Sequence, residues 1–130
     1  MRLFTTTILA AAVTGAFAVS AAAQEVRIGI INPFSGQFAD TAEQMDRAIK
    51  LYVKINGDTV AGKKLVFFRK DAGGIAPDVA KRLAQELVVR DKVDILAGFA
   101  LTPNALAVGD VSAQAKKFMV VMNAAGESGE

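Results

Sequence analysis

Two hydrophobic periods alternate along the chain, one typical of strands and the other of helices. Residues 26–31 form a short run rich in β-branched side chains, and Asn32 and Pro33 end it. Between residues 42 and 55, apolar positions instead recur every three or four residues, as on one side of an amphipathic helix. The members of this stripe are Met45, Ala48, Ile49, Tyr52 and Val53. The pattern therefore predicts a strand followed by a helix that covers one face of a sheet.

The same alternation continues to the end of the chain. Further strands are predicted at residues 65–71, 93–97 and 118–122. Helices are predicted from Pro77, which suits a first helical turn, and from Thr102, which we expect to be the N-cap of a helix running from Pro103 to about Ala115. Strands separated by single helices favour parallel pairing through right-handed crossovers. The predicted fold class is α/β, an open, mostly parallel sheet with helices on both faces.

The amino terminus has the composition of a secretory signal peptide. Arg2 supplies a positive charge, residues 3–19 carry no charge, and three alanines ending at Ala23 provide the small residues that a signal peptidase requires. A membrane anchor or a buried helix is the alternative. However, the apolar segment is interrupted and shorter than the ~20 residues that span a bilayer. We expect residues 1–23 to be removed, which leaves residues 24–130 as a periplasmic protein without a stable membrane anchor.

The composition of this mature segment excludes several classes of function. Removing 23 of the 130 residues leaves 14 basic and 13 acidic side chains, a balance that gives no basic surface for nucleic acid. The chain contains neither cysteine nor histidine. Disulfides, lipid attachment to a cysteine, the usual zinc sites and the Ser-His or Cys-His nucleophile pairs are therefore excluded. We expect no cofactor and no metal.

A ligand site in an open α/β sheet is expected beyond the carboxyl ends of the strands. Four predicted loops lie there, at residues 33–41, 71–74, 98–102 and 123–126. Neither the dinucleotide-binding glycine pattern nor a phosphate-binding loop occurs in them. Phe34, Phe38 and Phe99 could form a wall against an apolar solute or pack in the core. Asp71 could be an acid, a metal ligand or a solvated loop residue, and Thr102 could bond a ligand or only cap its helix.

Several segments together resemble a known family. They are residues 28–39 (IGIINPFSGQFA), 48–56, 65–71, 93–99 and 118–125, and they cover essentially all of residues 25–130. Their succession behind a signal peptide is similar to that of periplasmic solute-binding proteins of the branched-chain amino acid (leucine/isoleucine/valine) type. The resemblance implies a type I periplasmic-binding-protein-like fold, of which residues 24–130 would form the first part of the amino-terminal lobe only. It also implies a receptor that closes two lobes on an amino acid or related carboxylate and delivers it to the membrane permease of an ABC importer.

The resemblance also implies which residues bind the solute. In that family the loops after the third and fourth strands hold the charged head group, and the first loop faces the ligand's side chain. The candidate ligand-binding residues are Phe38, Thr41, Phe99, Ala100, Leu101, Thr102, Asn123, Ala124, Ala125 and Gly126. One departure is Glu127, because members commonly have a small hydroxyl residue near this position and a carboxylate there would repel a ligand carboxylate.

Two alternative functions remain open from the sequence. An exported ligand-sensing domain of a signalling protein has the same fold, and only sequence beyond this segment or the gene neighbourhood would distinguish it from a transport receptor. An α/β enzyme using Asp71 or Glu127 is the other alternative, although the chain offers no nucleophile and base pair. We expect the chain not to be an enzyme, and to bind solute weakly or not at all without a second lobe.

Overall fold

The computed structural model describes residues 24–125, which fold into three helices and five strands in one sheet. The predicted signal peptide, Gly126 and Glu127 lie outside the described residues. The strands are β1 (Glu25–Asn32), β2 (Thr59–Val60), β3 (Lys63–Asp71), β4 (Ile95–Gly98) and β5 (Phe118–Val121). The helices are α1 (Ala39–Asn56), α2 (Pro77–Val89) and α3 (Thr102–Ala115). The four strands predicted from the sequence are all present.

The sheet has the strand order β2-β3-β1-β4-β5, with β1 at its centre. Strand β1 pairs in parallel with β3 and β4, and β4 pairs in parallel with β5. The short strand β2, which the sequence did not predict, is antiparallel to β3 and joined to it by a tight turn at Ala61 and Gly62. Both turn residues have positive φ, as in the type I′ hairpin turn, whose twist matches that of the strands. The predicted mostly parallel α/β sheet is confirmed.

Neighbouring side chains of β3 show that helices cover both faces of the sheet. Arg69 forms an ion pair with Asp46 of α1, whereas Lys70 lies 2.7 Å from the Glu86 carboxylate of α2. Successive residues of a strand point to opposite faces, so α1 lies on one face and α2 on the other. Helix α3 packs beside α2 in a common hydrophobic core. The members of this core with 0% exposure are Ala80, Ala84, Leu87, Val93, Leu96 and Val108.

Three predicted element boundaries were wrong. Helix α3 begins at Thr102 itself, with Leu101 as the N-cap residue and no side-chain cap hydrogen bond, so Thr102 is not the N-cap. Strand β4 begins at Ile95, two residues later than predicted, although the backbone amide of Asp94 already donates to the carbonyl of Arg27 in β1 at 2.7 Å. Helix α1 begins three residues earlier than the apolar stripe predicts, at Ala39.

Strand β5 leaves an apolar surface uncovered within residues 24–125. It is the last strand of the sheet, and Phe118 pairs with Ile95, which in turn pairs with Ile28 of β1. These positions alternate with Gly29, which faces Leu87 of α2, so Phe118 lies on the face that carries α1. Because α1 lies over β3, Phe118 is 81% exposed.

Candidate functional site

The carboxyl ends of β1, β3 and β4 are joined by backbone hydrogen bonds into one continuous edge. The amide of Ala72 donates to the carbonyl of Asn32 at 3.0 Å, and the amide of Phe99 donates to the carbonyl of Ile31 at 2.9 Å. The amide of Met122 donates to the carbonyl of Gly98 at 2.8 Å. The loops that follow the four parallel strands are therefore held together, as the sequence predicts for the site of this fold.

A cleft of about 340 Å³ lies at this edge between α1 and the end of β5. It brings together two residues predicted from the sequence, Thr41 and Asn123. The other lining residues are Gln44, Met45, Ala48 and Met122, which the sequence reasoning did not name as site residues. Residues 41, 44, 45 and 48 are spaced as on one face of a helix. Once Thr41 was a candidate, this helical period could have identified Gln44, Met45 and Ala48 as its neighbours in the cleft. The lining combines uncharged polar groups with two thioethers.

Phe38 belongs to a different cleft, of about 620 Å³. This second cleft is formed by Gln37, Phe38 and the loop from Ala72 to Ala76. Asn104, which is 2% exposed, holds that loop against α3. Its side-chain carbonyl accepts from the amide of Ala76 at 2.9 Å, and its amide donates to the carbonyl of Gly74 at 2.8 Å. Phe38 and Thr41 are thus close in sequence but line separate concave surfaces.

The loop between β4 and α3 places its phenylalanine in the core, which is one of the two alternatives left open by the sequence. Phe99 is 1% exposed and packs in the hydrophobic core, so its side chain does not form a wall at the edge. Its φ of 61° is left-handed, and this conformation directs the loop so that the ring turns inward. Ala100 is 9% exposed, while Leu101 and Thr102 are half-buried.

The last predicted segment is only partly described. Ala124 is half-buried and packs against the core, whereas Ala125 is exposed. Asn123 is exposed at the mouth of the first cleft. These three residues and the β4–α3 loop remain predicted ligand-binding positions.

Asp71, at the end of β3, ties the first loop to the loop after β3. One of its carboxylate oxygens accepts from the amide of Gly73 at 2.7 Å and from the amide of Ser35 at 3.2 Å. Burial raises the pKa of this carboxyl, but hydrogen bonds from Ser35, Gly73 and Phe34 outweigh burial and lower the pKa below its usual value of 3.8. Asp71 therefore acts here as an ionised acceptor that orders backbone.

The stability of the protein is expected to fall in acid because of Asp71 and Asp46. Burial raises the pKa of Asp46, but Lys50 and Arg69 outweigh it and lower the pKa below 3.8. A carboxyl with a lower pKa in the folded state stabilises the fold above its unfolded pKa, and that contribution is lost as the pH falls. The free energy of unfolding, measured in urea, should therefore decrease between about pH 5 and about pH 3. A double variant, Asp46→Asn with Asp71→Asn, should show a shallower decrease, and an unchanged slope would contradict the assignment.

The family of the chain follows from its sequence, and the parallel sheet with a cleft at its carboxyl edge agrees with it. A family model described as periplasmic binding protein matches residues 25–130. The chain belongs to the periplasmic binding protein family. The resemblance found from the sequence is thereby confirmed, and this periplasmic binding protein chain spans about 30% of the length of the curated relatives that it matches.

Relatives of this periplasmic binding protein chain include transport proteins. The Leu/Ile/Val-binding protein homolog 6 of Brucella abortus (strain 2308) is 40% identical over 119 residues, which are 92% of this chain and 30% of that protein. A solute-binding protein of an ABC transporter from Rhodopseudomonas palustris BisB5, in complex with 3,4-dihydroxybenzoic acid, is 51% identical with a TM-score of 0.75, over 77% of this chain and 27% of that chain. Another from R. palustris, in complex with 4-hydroxybenzoate, is 37% identical with a TM-score of 0.78, over 81% and 28%.

These relatives are binding proteins and not enzymes, so the alternative of an α/β enzyme is not supported. Within residues 24–125, no helix is both long and apolar enough to cross a membrane. The same residues contain no cluster of three or more acidic side chains that could bind a metal ion.

Proposed function

We propose that this chain contributes the first part of the amino-terminal lobe of an extracytoplasmic receptor that binds a small carboxylate-bearing solute for an ABC importer. The observation that carries the proposal is the first cleft, where Thr41 and Asn123 meet at the carboxyl edge of the sheet. Its position is where ligands bind in open α/β sheets. Residues 1–23 would direct export to the periplasm, and a membrane permease would be the partner of the loaded receptor.

The lining of the first cleft favours an aromatic carboxylate over an aliphatic amino acid. Met45 and Met122 place polarisable thioethers in the cleft, and sulfur makes favourable contacts with aromatic rings. Thr41, Gln44 and Asn123 can hydrogen-bond to hydroxyl and carboxylate oxygens. An α-ammonium group would need an acidic partner, and none lines this cleft among the described residues. Two structural relatives with bound hydroxybenzoates support this proposal.

Isothermal titration of the native-length protein, recovered from the periplasm, tests the proposal. We expect saturable binding of 4-hydroxybenzoate, weaker binding of L-leucine, and an amino terminus at Gln24. Gln44→Ala should weaken 4-hydroxybenzoate binding by about 3- to 10-fold, because one hydrogen bond is worth about 1 kcal/mol. The matched control is Gln114→Ala, since Gln114 is an exposed glutamine near the far end of α3.

Three results would contradict all or part of the proposal. Equal weakening by both glutamine variants would show that the first cleft is not the site. Tight binding of L-leucine with no binding of 4-hydroxybenzoate would keep the receptor function but overturn the proposed aromatic solute. An absence of binding for both solutes and for other small carboxylates would remove the support for a carboxylate receptor.

A further inference from the structure

Asn32 is a buried polar residue at the junction of three elements. It is the last residue of the central strand β1 and is 1% exposed. Its side-chain carbonyl oxygen, Oδ1, accepts a hydrogen bond from the backbone amide of Ala100 at 3.1 Å. Its side-chain nitrogen, Nδ2, lies 3.4 Å from the sulfur of Met45 in α1. The carboxamide therefore spans the gap between α1 and the loop that connects β4 to α3.

The backbone of that loop is shaped to receive the Asn32 side chain. Gly98 and Phe99 both have positive φ, 109° and 61°, so the chain reverses sharply as it leaves β4. A Cβ atom at Gly98 would lie 2.6 Å from the carbonyl oxygen of Ile31 and 3.0 Å from Oδ1 of Asn32. The carboxamide thus fills the space that only glycine leaves open. A left-handed phenylalanine is a costly conformation, and it persists only where surrounding contacts hold it.

The other end of the carboxamide contacts a residue that lines the first cleft. Met45, the contact of Nδ2, lines that cleft together with Thr41 and Asn123. A thioether is a weak hydrogen-bond acceptor, so the Asn32 amide group gains little by itself from this contact. Its fixed partner is the backbone of Ala100, which belongs to the loop predicted to hold the solute's head group.

We propose that Asn32 is a positioning residue, which sets the conformation of the Phe99 to Leu101 loop relative to the first cleft without touching the solute. The assignment of the loop to ligand binding rests on the proposed function. The positioning itself rests on the Asn32 to Ala100 hydrogen bond and on the fit between Asn32 and Gly98. A buried amide whose acceptor is removed has no water to replace it, so the loop should lose its defined geometry.

Hydrogen exchange at the Ala100 amide, measured by NMR in the native-length protein, tests the positioning without any ligand. Asn32→Leu removes the acceptor, and exchange at Ala100 should rise about tenfold more than exchange at core amides, which corresponds to about 1.4 kcal/mol. Asn32→Ala replaces this variant if the leucine variant does not fold. Asn32→Asp keeps an accepting oxygen and should retain the protection of Ala100.

The matched control is Ser112→Ala, in the last turns of α3 and away from the β4–α3 loop. Ser112 is 7% exposed, and its hydroxyl donates to the carbonyl of Lys117 at 2.6 Å. Removing this bond should lower the free energy of unfolding about as much as Asn32→Leu does. The exchange rate of the Ala100 amide relative to that of core amides should stay unchanged. Titration with 4-hydroxybenzoate should show about fivefold to tenfold weaker binding for Asn32→Leu and unchanged binding for Ser112→Ala.

The exchange measurement tests the positioning role of Asn32, and the binding measurement tests the proposed aromatic solute. Exchange at Ala100 that rises no more than exchange elsewhere would overturn the positioning assignment, whatever the solute. A selective rise at Ala100 without any binding of 4-hydroxybenzoate by the unmodified protein would support the positioning of the loop and count against the proposed aromatic solute. A selective rise with unchanged affinity would show that the loop is positioned by Asn32 but does not hold the solute.

Discussion

Gly98→Ala is expected to lower the free energy of unfolding by about 3 kcal/mol. Two causes act together at this position. The φ of 109° is unfavourable for any residue with a Cβ atom, and the added atom would lie 2.6 Å from the backbone oxygen of Ile31. Because the opposing atom is backbone at the end of the central strand, it cannot swing aside as a side chain would. Urea or thermal unfolding followed by circular dichroism measures the change.

Gly109→Ala is the control for this prediction. Gly109 lies in the interior of α3, and a Cβ added there would meet no heavy atom within 4 Å. Alanine is a better helix former than glycine, so this variant should be neutral or more stable by up to about 1 kcal/mol. If both glycine variants are equally stable, the left-handed turn at Gly98 is not a determinant of the fold.

Phe99→Ala is expected to cost about 3 to 5 kcal/mol, the usual range for truncating a buried aromatic side chain. The phenylalanine is 1% exposed and packs in the core formed by the sheet, α2 and α3. Alanine would leave a cavity among well-packed neighbours while keeping the unfavourable left-handed backbone. The same urea titration measures this loss, and the slope should stay constant if only stability changes.

Leu106→Ala provides the comparison for the phenylalanine variant. Leu106 lies on the same connection, in α3, but is 73% exposed. Its truncation should change the free energy of unfolding by no more than about 0.5 kcal/mol. A small cost for Phe99→Ala, similar to that of Leu106→Ala, would mean that Phe99 faces the edge and is exposed to a solute, which is one of the two alternatives that the sequence left open.

Most of the fold could be predicted because the spacing of hydrophobic residues indicates which side of a helix or strand is buried. The run at residues 26–31 became the central strand, and the stripe through Met45 and Val53 became a helix on one face, although Tyr52 of that stripe is 51% exposed and Asp46, outside it, is buried. Strand β2 was missed because two residues, both exposed, carry no period. Its signal was the turn at Ala61 and Gly62, where the glycine favours positive φ but the alanine does not.

The candidate site could be predicted only in part, because loop direction depends on backbone angles that composition does not reveal. Thr41, in the first turn of α1, and Asn123, after β5, lie in one cleft because β1 and β5 run in the same direction and end at the same edge of the sheet. Phe99 turned inward because two successive left-handed residues reverse the side on which its ring emerges. Asn32 was treated as a strand terminator, and nothing in its neighbours indicated that its carboxamide would bond to Ala100.

The uncovered strand β5 has a consequence for the behaviour of these residues in solution. Its outer backbone groups have no partner strand within residues 24–125, and Phe118 and Val120 are 81% and 51% exposed. An apolar edge strand is a template on which another copy can add a strand. Lys116 and Lys117, directly before β5, place charge at one end and oppose such growth, as gatekeeper residues do. Solubility of a preparation limited to these residues should therefore depend on salt and concentration, with screening of the lysines favouring self-association.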